Sequence, residues 1–175
     1  KGLSPALRAQ PGVLVAFARR AARLHVEAQA VEALAAALDE RWDEAVVAAF
    51  GELPPFEGDE RLARAEGWLA ARSTSPALLL ALARLCRHRG LPGKAETYFH
   101  RAIAQGAGAE AWEGLGELMA GASDPRAAIA FGNALRVARA EAPQDFPGRG
   151  LRERIGDAAA GEERDAFGHP RLPAA

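Results

Sequence analysis

Apolar positions along this chain fall into short helical stripes, arranged in pairs and separated by turn residues. Behind Pro11, whose missing N–H suits a first helical turn, Leu14, Phe17, Ala18, Ala21 and Leu24 mark one face. His25 sits at the turn, and a partner stripe over 26–39 sets Ala30, Leu34, Ala37 and Leu38 inward. A shorter stripe over 42–53 carries Val46, Ala49 and Phe50. Pro54, Pro55 and Gly58 then break the chain, and 59–71 follows with Leu62, Ala65, Trp68 and Leu69. The pattern is clearest after Ser75-Pro76, an N-cap followed by proline. Leu79, Leu82, Ala83 and Cys86 face inward there, and Gly90 ends the helix. Pro92 opens the next stripe, with Ala95, Phe99, Ala102 and Ile103. A last pair sets Trp112, Leu115, Gly116 and Met119 against Ala127, Phe131, Ala134 and Leu135, with Asp124-Pro125 expected to start the second helix.

Small residues recur at fixed places in these stripes. Ala18, Ala83 and Gly116 hold the waist of the first helix, and Ala30, Ala65, Ala95 and Ala127 that of the second. The step from Ala83 to Gly116 is 33 residues, and two steps from Ala30 to Ala95 total 65. A period near 33 with two helices per unit is the signature of a tetratricopeptide (TPR) array. Small side chains let crossing helices approach to about 8–10 Å, and the neighbouring Leu, Phe or Trp fills the groove. The expected fold is an all-α, right-handed helical-hairpin solenoid of about four hairpins over residues 1–140. Residues 141–175 hold five glycines and four prolines, and a flexible or weakly helical tail is expected there.

The 22 basic and 23 acidic residues give a net charge of −1, so no general attraction to nucleic acid is expected. The single cysteine, Cys86, excludes an intrachain disulfide. No run approaches the ~18 apolar residues that span a bilayer, so these residues are expected to be soluble. The chain opens on Lys1 and reads as a fragment, with anchoring segments expected upstream.

Four histidines invite a metal or haem reading. His25 falls in a turn, His100 on an outer face and His169 in the tail. His88, two residues after Cys86, points to another side of its helix, and a zinc site needs four ligands. Cys86 reads as a buried thiol. No Gly-rich phosphate loop, Ser-His-Asp order or paired-Cys motif appears. No catalytic residue, metal or cofactor is expected. The groove lined by first helices is more informative. Leu80, Arg84, Arg87 and His88 are expected on it in the third hairpin, Arg19 and Arg23 in the first, and Glu110, Glu113 and Glu117 in the fourth. That makes the groove basic in two hairpins and acidic at the far end, suited to a protein segment with acidic groups.

The run Arg64-Ala65-Glu66-Gly67-Trp68-Leu69, then Ser75-Pro76-Ala77-Leu78-Leu79-Leu80-Ala81-Leu82, with Gly90 and Lys94-Ala95, resembles the C-terminal part of the HemY family. Arg41-Trp42-Asp43 and Phe50-Gly51 resemble that family's middle region. The resemblance implies a TPR-containing membrane protein of proteobacterial haem biosynthesis, anchored in the bacterial inner membrane through upstream helices. It further implies scaffolding contacts with haem-biosynthesis enzymes as protein partners. A groove that itself carries porphyrin or haem is the competing expectation, since Arg84 and Arg87 would attract propionates.

Overall fold

The computed structural model describes residues 4–147. The chain divides into two compact units, 1–144 and 145–175, and all the helices below lie in the first. Among the described residues the regular structure is helical throughout: α1 (Pro5–Arg8), α2 (Pro11–Leu24), α3 (Glu27–Glu40), α4 (Glu44–Glu52), α5 (Arg61–Leu69), α6 (Pro76–His88), α7 (Pro92–Ala104), α8 (Ala109–Gly121) and α9 (Ala127–Ala138).

From α2 onward the helices form four successive hairpins. Each of α2, α4, α6 and α8 packs against the next of that series, and α4, α6 and α8 also pack against the second helix of the preceding hairpin. This layering is what an array of units requires when no unit can bury its own apolar face. The turns are made by the expected residues. His25 takes a left-handed conformation (φ 53°) at the end of α2, and Gly90 does so (φ 68°) after α6. The Ser75 hydroxyl accepts from Leu78 N–H, and Asp43 caps α4 through the N–H groups of Ala45 and Val46. Glu44, on α4, accepts from the Ser75 hydroxyl at 2.8 Å and from Ala77 N–H at 3.3 Å. A carboxylate from the second hairpin thereby sits at the N-terminus of the third.

The core holds the expected small-and-large alternation. Ala18, Ala30, Ala65, Ala83 and Ala95 are buried, with Leu34, Phe50, Leu79, Leu82, Phe99 and Leu115 around them. The second hairpin also has a waist residue. Gly51 extends the series Ala18, Ala83, Gly116 in steps of 33, 32 and 33. A Cβ on Gly51 would lie 2.5 Å from the Cβ of Ala81, so α4 and α6 meet there at backbone range. Four positions differ from expectation. Leu24, Phe131 and Leu135 are 61%, 36% and 60% exposed, each in the first or last hairpin of the described array, where no further hairpin among the described residues covers it. In α9, Ala127 is only half-buried, and Ala130 is fully buried in the contact with α8.

The α4–α5 hairpin is joined by side chains more than by backbone proximity. Trp68 of α5 lies 5.1 Å from the Phe50 ring and 5.8 Å, edge-on, from Trp42, and its indole N–H donates to Asp39. The long loop between these helices is held by Arg61, which is 1% exposed. Its guanidinium donates to the carbonyls of Phe50 and Leu53, both at 2.8 Å, and of Pro54 at 3.1 Å. It also pairs with Asp59 at 2.6 Å. One side chain thus satisfies the C-terminal carbonyls of α4 and closes the loop.

After α9, Ala140 turns the chain with φ 59°. The amide of buried Asn133 then pairs with both backbone groups of Gln144, donating at 3.0 Å and accepting at 2.7 Å. Arg136 Nε donates to the Ala142 carbonyl. The tail expected beyond this point lies, from residue 148 onward, outside the described residues.

Candidate functional site

The groove expected from the sequence would be built by the outward positions of successive first helices, three or four residues apart. Arg19 and Arg23 are exposed on α2, as expected, and make no ion pair among the described residues. Beside Arg19, a shallow cleft of about 140 Å³ lies between α2 and α4, lined by Ala18, Ala22, Ala49 and Glu52.

The middle of the groove differs from expectation. Arg84 is not a free basic group: it pairs with Glu110 of α8 at 3.0 Å and lies 3.8 Å from Glu52 of α4. Arg87 pairs with Glu117 of α8. The expected basic stretch and acidic stretch are therefore the two halves of one set of ion pairs running α4–α6–α8. Leu80, expected in the groove, is 5% exposed and belongs to the core. Glu113 is exposed and makes no ion pair among the described residues.

His88 closes α6 and looks onto the α4–α5 loop. With Phe56, Asp59, Leu62, Leu85 and Arg89 it lines a cleft of about 430 Å³. Burial, and then the positive charge of Arg87, hold its imidazole below the ordinary histidine value, so it is mainly neutral at pH 7. Arg89 reaches across this cleft to donate to the Asp59 carbonyl. Cys86 is fully buried. Burial raises its thiol to about 11, with Glu66 adding to the effect and Lys94 opposing it. Among the described residues no group of three or more His, Cys, Asp and Glu is placed to hold a metal ion, and no helix is long and apolar enough to cross a membrane.

Residues 76–118 match the tetratricopeptide repeat family. The match spans α6, α7 and most of α8, the stretch in which the helix signals are clearest. No curated protein and no solved structure matches the chain. The fold is thus an all-α helical-hairpin repeat of the TPR kind, an architecture that serves protein–protein interaction. Sequence reasoning missed two structural residues, Gly51 and Arg61. The spacing signal for Gly51 was present in the steps of 33 and 32 residues; Arg61 carried none, because its partners are carbonyls at the end of α4 and in the loop, together with Asp59.

Proposed function

We propose that this chain is a non-enzymatic protein-binding scaffold whose first-helix layer receives a partner segment with acidic groups, anchored at the α2 end. The observation that carries the reading is the difference between two arginine pairs. Arg84 and Arg87 are committed to Glu110 and Glu117, whereas Arg19, which lines the α2–α4 cleft, and Arg23, one turn on, are exposed without an ion pair among the described residues. Arginine presents a rigid fork of donors matched to carboxylates, and unpaired charge steers association more than it adds affinity. A photo-crosslinking residue at Ala22, in the cleft, should capture a protein partner in cells. The same residue at Ala104, exposed at the end of α7, should not. Equal capture from both positions would contradict the groove as the binding surface.

The narrower reading is a HemY-like scaffold for late haem biosynthesis, held at the bacterial inner membrane by upstream segments and contacting that pathway's enzymes. Its support is the resemblance over residues 64–69 and 75–82, with Gly90 and Lys94-Ala95, which lie in α5, α6 and the start of α7. Haem titration separates it from a porphyrin carrier: an unchanged Soret band supports the scaffold, and a saturable shift at one equivalent supports the carrier.

A further inference from the structure

The α4–α5 hairpin is built differently from the other three. Its loop runs over 53–60, where the corresponding turns are 25–26, 89–91 and 122–126. Its second helix is also short: α5 has nine residues, against fourteen, thirteen and twelve in α3, α7 and α9. The late start of α5 leaves a gap in the second-helix layer that the loop does not fill. A cleft of about 470 Å³ remains between α3, the loop and α5. Ala28 and Val31 of α3, Phe56 of the loop and Ala63 of α5 give it apolar walls. The cleft is also preformed. Arg61 ties Asp59 to the carbonyls of Phe50, Leu53 and Pro54, and Gly58 turns the loop with φ 75°. A rigid site loses little conformational freedom when it binds.

The charge of this lining is one-sided. Glu32, Glu57 and Glu60 stand at its exposed rim. The two bases of the lining are each matched by a carboxylate from outside it: Arg61 by Asp59 at 2.6 Å and Arg64 by Asp39 at 3.1 Å. Arg64 lies farther from Glu32, at 3.6 Å. Glu57 and Glu60 make no ion pair among the described residues. Apolar walls with carboxylates above them fit a long basic side chain, whose stem is aliphatic and whose head is cationic. An acidic segment would be repelled. We infer that this cleft docks a basic segment of a protein partner, through an arginine flanked by apolar residues. Arginine suits it better than lysine, because its five fixed donors can serve more than one carboxylate at once. The cleft shares no lining residue with the one beside Arg19, and its free charge is of opposite sign. It is therefore a second surface, independent of the α2 groove.

The test is titration of the isotope-labelled 175-residue chain with the peptide acetyl-Ala-Leu-Arg-Leu-Ala-amide, read by backbone amide shifts. Residues 28–32 and 56–63 should shift saturably. The same peptide with Glu in place of Arg, or with Ser in place of both Leu, should give no saturable shift there. Glu57→Gln/Glu60→Gln replaces two exposed groups outside the Arg61 network and should weaken binding roughly five- to tenfold, as expected for two surface charge pairs. Ala28→Trp, which fills the cleft from an exposed position, should abolish the saturable shifts. Arg19→Glu/Arg23→Glu should bind the peptide like wild type. Circular dichroism verifies the folding of each variant. The proposal is overturned by the absence of a saturable shift at 56–63, by equal binding of the Glu peptide, or by undiminished binding in either cleft variant. Loss of binding in the α2 variant overturns it too, as do shifts centred on Glu113, an exposed carboxylate of α8, since charge alone would then be the cause.

Discussion

Arg61 shows how much one side chain can hold. It is the largest fully buried residue among those described, and it binds three carbonyls and one carboxylate. Arg61→Ala would leave Asp59 as a buried charge without its partner, and removing one member of a buried pair costs about 3–5 kcal/mol. Urea denaturation should show that loss, and the double variant Asp59→Asn/Arg61→Met should recover part of it. Acidity should act on the same pair. Burial alone would raise the Asp59 carboxyl above 3.8, but hydrogen bonds and charge from Arg61 outweigh it and hold the group lower. Its contribution is complete above the unfolded value of 3.8 and is lost as pH falls through the lower folded value. Stability measured from pH 6 downward should therefore fall below about pH 4, and less steeply in the double variant. Cys86 offers an independent check of burial. With its thiol at about 11, a thiolate-seeking reagent at pH 8 should label it only when the fold opens, so labelling should accelerate with urea.

Among the helices, the contact between α4 and α6 is a tight one made backbone to backbone. A Cβ on Gly51 meets both Cα and Cβ of Ala81 at under 3 Å, so neither backbone can be spared by a rotamer change. Gly51→Ala should destabilise by about 1–3 kcal/mol through overpacking, even though alanine favours helix. A stability gain in chemical denaturation would contradict the placement of α4 on α6. Much of this scale was legible in the chain itself. Ser75-Pro76, Gly90 and His25 act through local chemistry, and each holds its expected place. The waist of the second hairpin, Gly51, was legible in the 33- and 32-residue steps to Ala18 and Ala83 but went unread. The loop closure by Arg61 depends on where three carbonyls point, which no periodicity encodes. Leu24, Phe131 and Leu135 carry the same apolar pattern as core residues, but they lie in the first or last hairpin of the described array and are exposed.

Across the whole first unit, charge is arranged between hairpins. Glu110 is 26 residues from Arg84, and Glu117 is 30 from Arg87, about one repeat away in each case. A linear reading sees a basic helix and an acidic helix; stacking turns them into partners. The two arginine pairs should therefore respond differently to reversal. The most direct measurement compares Arg19→Glu/Arg23→Glu with Arg84→Glu/Arg87→Glu, reading thermal unfolding and capture of the crosslinked partner for each. The first double variant should melt like wild type and lose most of its capture. The second should be destabilised by about 1–2 kcal/mol, as weak pairs become repulsions, with capture retained below its melting range. Full capture by the α2 variant, together with loss of capture by a stably folded α6 variant, would contradict a binding surface centred on Arg19 and Arg23.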